Sequence, residues 1–232
     1  MNEKVGSYEQ ALKESEEKYQ QLDLYSRERY HRIKNIMQIN SSLVNLQSRF
    51  VKEKKCLEMF SDIQDRIKCM LHITDIFYQC TDFEKFEVEN HIENLANDLV
   101  ESHGVANKIE LIFNIEKISL NIDHVTPFMQ LITELINNSL KHAFPGDRKG
   151  EIIISLCSKD ENNIELEISD NGVGIPSDVE FKEYGIPPNL DFKEIVSLGF
   201  FMVRMLVFEL RGKIDLDRSK GTDFKIIFTK KK

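Results

Sequence analysis

At 232 residues and 41% hydrophobic side chains, the chain can bury one large core or two smaller ones without covalent staples. A formal charge of -8 and a pI near 5.4 argue against general attraction to nucleic acid, since the basic residues are scattered apart from the terminal Lys230, Lys231 and Lys232. Cys56, Cys69, Cys80 and Cys157 form no C-x-x-C pair and no pattern with the histidines, so neither a zinc site nor a disulfide framework is indicated and a reducing cytoplasm fits best.

No run approaches the ~18 apolar residues of a membrane span, and Met1-Asn2-Glu3-Lys4 lacks the apolar stretch of a secretory signal, so a soluble chain is expected. Residues 1–23 are rich in Glu, Lys and Gln, with Val5, Tyr8, Leu12, Tyr19 and Leu22 at roughly heptad-like spacing; they read as an exposed helical connector. From residue 24 the apolar pattern strengthens. Ile36, Leu43 and Phe50 are seven apart, as are Ile39 and Leu46, and Met37, Val44 and Val51. A stripe that broad suits a helix with more than one neighbour. After the charged turn Lys52 to Lys55, Phe60, Ile63, Ile67, Met70, Thr74 and Phe77 fall at alternating three- and four-residue steps. Residues 24–82 therefore read as an antiparallel helical hairpin. Two helices alone leave apolar surface uncovered, and a second copy completes a four-helix bundle, so a homodimer through 24–82 is expected.

The first helix also carries a polar stripe: Glu28, His31, Asn35, Gln38, Ser42 and Asn45 share one face. On its own, a histidine on such a face is usually a tolerated polar residue.

Residues 83–232 change character. Helix-like stretches at 90–103, 123–143 and 198–210 alternate with strand-like ones at 108–115, 151–157, 164–169, 213–217 and 224–229. Short turns at 159–163 and 219–222 favour a mixed or antiparallel sheet. The expected fold is α+β, a helical hairpin followed by an α/β sandwich. Three clusters in the second part carry chemistry. Glu134, Asn138, Lys141 and His142 share a helical face, and a carboxylate, amide oxygen, ammonium and imidazole together suit phosphate oxygens and Mg²⁺. The bland alternative is a solvated helix face. Asp170-Asn171-Gly172-Val173-Gly174-Ile175-Pro176 follows a strand; its glycines let backbone approach a ligand and its carboxylate can accept from an exocyclic amine, although Asp-Asn-Gly is also good turn chemistry. Ser197-Leu198-Gly199 opens a helix, whose free N–H groups suit an anion, and Gly221-Thr222 bounds the last strand.

In this order, E-x-x-x-N-x-x-K-H, D-N-G-V-G-I-P, S-L-G and G-T-x-F resemble the N box and the two glycine boxes of the GHKL ATP-binding superfamily. That superfamily includes sensor histidine kinases, type II topoisomerases, heat-shock chaperones and mismatch-repair ATPases. Upstream, Glu28-x-x-His31-Arg32-Ile33-Lys34-Asn35 looks like the phosphoacceptor helix of the sensor histidine kinase subfamily with an H-R-x-K-N motif; the resemblance covers roughly residues 24–232. It implies a dimerisation and phosphotransfer hairpin followed by a GHKL-type catalytic domain at 83–232, with a lid near 177–196. His31 would be the phosphoacceptor, Asp170 would bind the adenine amino group, and Gly172 and Gly174 would shape the pocket. Leu198 and Gly199 would lie along it, and Thr222 would support the base. Asn138 would hold Mg²⁺, with Lys141 and His142 near the phosphates of ATP. Glu134 sits where related ATPases place a water-orienting base.

Many such kinases carry an acid directly after the histidine, whereas here that residue is Arg32; Glu28, one turn back, is then the expected orienting base. Tyr30 stands where a second histidine is common, and the lid segment is long for the family. The implied partner is the receiver domain of a response regulator, and the charged N-terminal helix resembles the connector that follows a sensor domain. Competing readings are a GHKL ATPase, or a phosphotransfer protein without histidine autokinase activity.

Overall fold

The computed structural model describes residues 2–79, 86–176 and 198–230. Helix α1 (Asn2–Ser48) runs unbroken through the junction at 23/24, since it has no proline and its one glycine, Gly6, lies in the second turn. A turn closed by Arg49, Phe50 and Val51 N–H bonds to Leu46, Gln47 and Ser48 carbonyls leads into α2 (Lys54–Gln79). The two helices are antiparallel. Tyr30 meets Tyr78, and Met37 meets Thr74. The inward face of α1 is Tyr30, Lys34, Met37, Ser41, Val44 and Ser48. The broader stripe of Ile36, Ile39, Leu43 and Leu46 stays at least half exposed, which matches a helix with a further neighbour still to meet.

Beyond the hairpin come β1 (Phe86–Glu87), α3 (Glu89–Ser102), β2 (Ile109–Ile115), β3 (Ser119–Leu120) and α4 (Ile122–Asn138), which ends in a π-helical turn, Ser139–Ala143. Then follow β4 (Gly150–Ser158), β5 (Asn163–Asp170), α5 (Leu198–Glu209), β6 (Lys213–Asp217) and β7 (Thr222–Thr229). The main sheet has the order β2-β4-β5-β7-β6, with β2 parallel to β4 and the other pairs antiparallel. It is the mixed sheet that the short turns imply. The two-residue ladder β1–β3 is an addition to the expected elements, too short to show a period.

Alternate residues of β4, β5 and β7 point to one face: Ile152, Ile154 and Leu156; Ile164, Leu166 and Ile168; Phe224, Ile226 and Phe228. They join Phe128, Leu131, Ile132 and Leu135 of α4 in the core, and Phe128 meets Phe228 at a centroid distance of 5.6 Å. Asn121 caps α4 by accepting from Asp123 N–H (3.0 Å). Cys69, Ile73 and Ile76 of α2 belong to the same core, so α2 is a wall of both the hairpin and the sheet domain. The β5–β7 register sets Asp170 directly opposite Thr222, at the sheet end where α4 finishes.

Candidate active site

Asp170, the last residue of β5, is buried and fully engaged on two sides. Ser139 Oγ–H donates to its Oδ2 (2.8 Å), and the N–H groups of Gly172 and Thr222 donate to Oδ1 (3.0 and 3.2 Å). These bonds fix the carboxylate as an acceptor at the wall of a cavity of about 380 Å³. Asn138, Ser139, His142, Val173, Gly174, Ile175, Phe200, Thr222 and Phe224 also line it. An anionic acceptor beside apolar side chains suits a flat, amine-bearing ring.

The turn after β5 is built for close approach. Gly172 lies against Ala143, whose carbonyl accepts from Val173 N–H (2.9 Å), and a Cβ on Gly172 would overlap Ala143. Gly174 has a φ of +75° and sits against the Gly221 carbonyl. Arg148 Nη2 donates to Asn171 O (2.7 Å), and Arg218 Nη1 donates to Pro176 O (3.0 Å), pinning both ends of the turn. Neither arginine stood out in the sequence, because each acts on backbone. Leu198 and Gly199 begin α5, and Gly199 abuts Asn138. The expected lid, 177–196, lies outside the described residues.

The structure divides the Glu134, Asn138, Lys141 and His142 face in two. From Ser139 the helix widens into the π turn, so the α-helical spacing that would align all four no longer applies. Asn138 and His142 line the cavity. Glu134 and Lys141 instead meet α2. Arg66 Nε and Nη2 donate to Glu134 Oε1 and Oε2 (2.5 and 3.1 Å), and Lys141 pairs with Asp62. Burial pulls Lys141 down to about 8, against the Glu58 carboxylate, which pulls it up. Burial also lowers His142, helped by Lys141 and opposed by Glu58, so its imidazole is neutral near pH 7.

The donor set fits a magnesium ion of the kind that travels with a nucleotide. Among the described residues no group of three or more His, Cys, Asp or Glu side chains could cage a metal alone. Asn138, at the cavity wall, has a buried Nδ2 with no hydrogen-bond partner among them. Its amide oxygen is a hard donor of the kind magnesium takes, one that leaves the other positions to phosphate and water.

His31 is exposed on α1, with the whole polar stripe from Glu28 to Asn45. Glu28 does not reach it, because its Oε1 accepts from Arg32 Nη2 (2.6 Å). What meets the imidazole is Tyr30, edge-on at 5.1 Å. Tyr30 is itself held by α2: its hydroxyl donates to Asp75 Oδ1 (2.6 Å) and its ring stacks on Tyr78 at 4.1 Å, while Lys34 Nζ bonds Asp75 (2.9 Å). Asp62, Arg66 and Asp75 were missed as site residues; only charges beside the apolar stripe of the second helix hinted at them.

A sheet with an embedded, glycine-walled nucleotide-type cavity behind an exposed-histidine hairpin defines a class, and comparison with known proteins agrees. Residues 28–103 match the family model described as histidine kinase, and residues 123–232 match the histidine kinase-, DNA gyrase B- and HSP90-like ATPase model. The chain belongs to the sensor histidine kinase family, pairing a histidine kinase hairpin with a GHKL-type ATP-binding domain. It is 25% identical over 205 residues to the sensor histidine kinase PdtaS of Mycobacterium tuberculosis, covering 87% of this chain and 38% of that protein. It thus spans well under half the length of that relative. Over 83 residues, 34% of this chain and 52% of the relative, it is 30% identical to the serine-protein kinase RsbW of Listeria monocytogenes. In fold it is similar to the histidine kinase domain of the Erythrobacter litoralis EL346 blue-light activated histidine kinase, with TM-score 0.62, 18% identity, and 90% and 93% of the two chains covered. No helix among the described residues is long and apolar enough to cross a membrane.

Proposed function

We propose that this chain is the kinase core of a cytoplasmic two-component sensor, which phosphorylates His31 from ATP and passes the phosphoryl group to an aspartate of a response regulator. The observation that carries this reading is the fixed Asp170 carboxylate in the cavity wall, in one chain with an exposed histidine in an H-R-I-K-N helix.

Asp170 accepts from the adenine amino group, while Gly172 and Gly174 let the turn close on the nucleotide and Thr222 supports the base. Asn138 would hold magnesium, which would offset phosphate charge. His142 faces the phosphates from the cavity wall, Lys141 joins it only on leaving Asp62, and Leu198 and Gly199 contact them from the start of α5. The unprotonated ring nitrogen of His31 attacks the γ-phosphorus in line; a P–N bond forms and the P–O bond to the β-phosphate breaks, releasing ADP. The proton on the other ring nitrogen needs an acceptor. Glu28 serves once it exchanges Arg32 for the imidazole, one helical turn away. Glu134 has no water to activate in this reaction, so its part is electrostatic.

A second copy pairs with this chain through 24–82, covering Ile36, Ile39, Leu43 and Leu46.

The test is incubation with γ-labelled ATP. Acid-labile, alkali-stable label that disappears in His31→Gln is expected. ATP binding with no such label would leave a plain ATPase in its place.

A further inference from the structure

His31 stands exposed on α1, and an exposed imidazole samples several χ1 and χ2 settings, of which in-line attack uses one. At about 100° per residue of helix, Tyr30 and Lys34 fall on one flank of His31, and Glu28, Arg32 and Asn35 on the other. On the second flank Glu28 and Arg32 pair with each other in solvent. On the first, α2 and Lys34 immobilise the ring of Tyr30. Its hydroxyl donates to Asp75 Oδ1 (2.6 Å) and accepts from Lys34 Nζ (3.2 Å), and its face stacks on Tyr78 (4.1 Å). Lys34 Nζ lies 5.5 Å from the Tyr30 centroid and bonds both oxygens of Asp75 (2.9 and 3.2 Å). Burial alone would raise the Asp75 carboxyl, but the bonds from Tyr30 and Lys34 hold it below its ordinary value, so it stays ionised and keeps accepting. Tyr30 thus presents to His31 a ring whose own rotamer is fixed, with 5.1 Å between centroids and 64° between planes.

We propose that Tyr30, held by Asp75 and Lys34, is a positioning residue for the phosphoacceptor: its fixed ring walls the α2 flank of His31 and turns the imidazole towards Glu28 and the incoming γ-phosphate. The role rests on the kinase reading above and adds a residue to it. Residues one apart on a helix do not ordinarily face each other, so the meeting of these two rings reflects the hold of α2 on Tyr30. A plain tie between helices is met as well by apolar side chains, as Met37 and Val44 meet α2 further along. The polar set gives up packing there and returns a ring placed by bond direction. Tyr30 does not line the cavity and takes no proton in the step written above; it acts through His31.

The experiment measures labelling of His31 by γ-labelled ATP, as kcat and KM for ATP, in full-chain wild type, Tyr30→Leu, Tyr30→Phe, Asp75→Asn and Met37→Ala. The last loosens the same helix seam without touching the ring, and calibrates what lost stability alone does. Tyr30→Leu should lower kcat about tenfold with KM unchanged. Tyr30→Phe keeps the ring but loses the bond to Asp75, so it should recover part of the rate, and Asp75→Asn should resemble it. In chains carrying 13C-labelled histidine, the ring protons of His31 should show a ring-current displacement that is lost in Tyr30→Leu and reduced in Asp75→Asn. Wild-type kcat in Tyr30→Leu, or a fall no greater than Met37→Ala gives at the same loss of Tm, overturns the role and leaves the kinase reading intact. If Tyr30→Leu fails to fold, Tyr30→Phe decides, and a wild-type rate with unmoved His31 resonances overturns the role. ATP binding with no label on any chain overturns the kinase reading, and the role of Tyr30 with it.

Discussion

Asp170 ties the end of β5 to Ser139, Gly172 and Thr222, and in the proposed reading it also accepts from adenine; a single substitution separates the two. In Asp170→Asn the amide oxygen keeps the bonds from Gly172 and Thr222 N–H while the NH2 meets Ser139, whose hydroxyl must turn to accept; charge-assisted bonds become neutral ones, which costs about 1 kcal/mol of stability. The same change presents the wrong group to an exocyclic amine, so ATP affinity should fall more than tenfold beyond any loss from unfolding. Thermal unfolding and calorimetric titration read the two effects separately; full affinity at a lowered Tm would leave Asp170 a purely structural residue. Asp170, Gly172 and Gly174 were legible in sequence because the turn chemistry is contiguous. Glu28 shows the opposite case. Spacing alone brings both His31 and Arg32 within its reach, and only the structure shows that the guanidinium, able to donate a short charge-assisted bond, takes the carboxylate. Glu28→Gln should slow labelling of His31 without changing ATP affinity, and labelling at the wild-type rate would remove Glu28 from the reaction.

At the scale of elements, helix and strand periods located the main-sheet strands and the helices to within a few residues, because each has one covered face. The π turn at Ser139–Ala143 escaped, since nothing in Ser-Leu-Lys-His-Ala distinguishes a widened turn from an α-helical one; yet it decides which N-box residues see the cavity. The seam of α2 with α3 was likewise invisible, and it carries a pH dependence. His72 and His91 meet edge-on at 5.4 Å, with Phe86 against His91. Burial lowers both imidazoles below 6.5; Asp98 and Asp75 oppose this at His72, and His72 adds to it at His91. The unfolded chain therefore takes up protons near pH 6.5 while the folded one resists them. Stability is undiminished above that value, falls as the pH drops below it, and levels off once the folded pKa is passed. The Tm should decline between about pH 7 and pH 5.5, and less steeply in His72→Gln/His91→Gln. An equal slope in that double variant would place the titrating groups elsewhere.

For the whole molecule, the feature left over after the fold is built is the outer stripe of α1. Ile36, Ile39, Leu43 and Leu46 are 59%, 60%, 50% and 52% exposed, while the inward residues Tyr30, Lys34, Met37 and Val44 already meet α2. Sequence periodicity showed a stripe too wide for one neighbour, but the division between the two faces needed the polar anchors Lys34 and Asp75, which pull a less apolar face inward. That division makes the dimer testable without disturbing the fold. A charge at an exposed position of a monomer costs within about 0.5 kcal/mol, whereas the same charge buried between paired helices costs several times more. Ile36→Asp/Leu43→Asp should therefore leave ATP affinity and helix content unchanged while halving the mass measured by light scattering at micromolar concentration. If the double variant keeps the mass of a dimer, the copies pair through another surface; if wild type already has the mass of a monomer, the outer stripe belongs to a different partner.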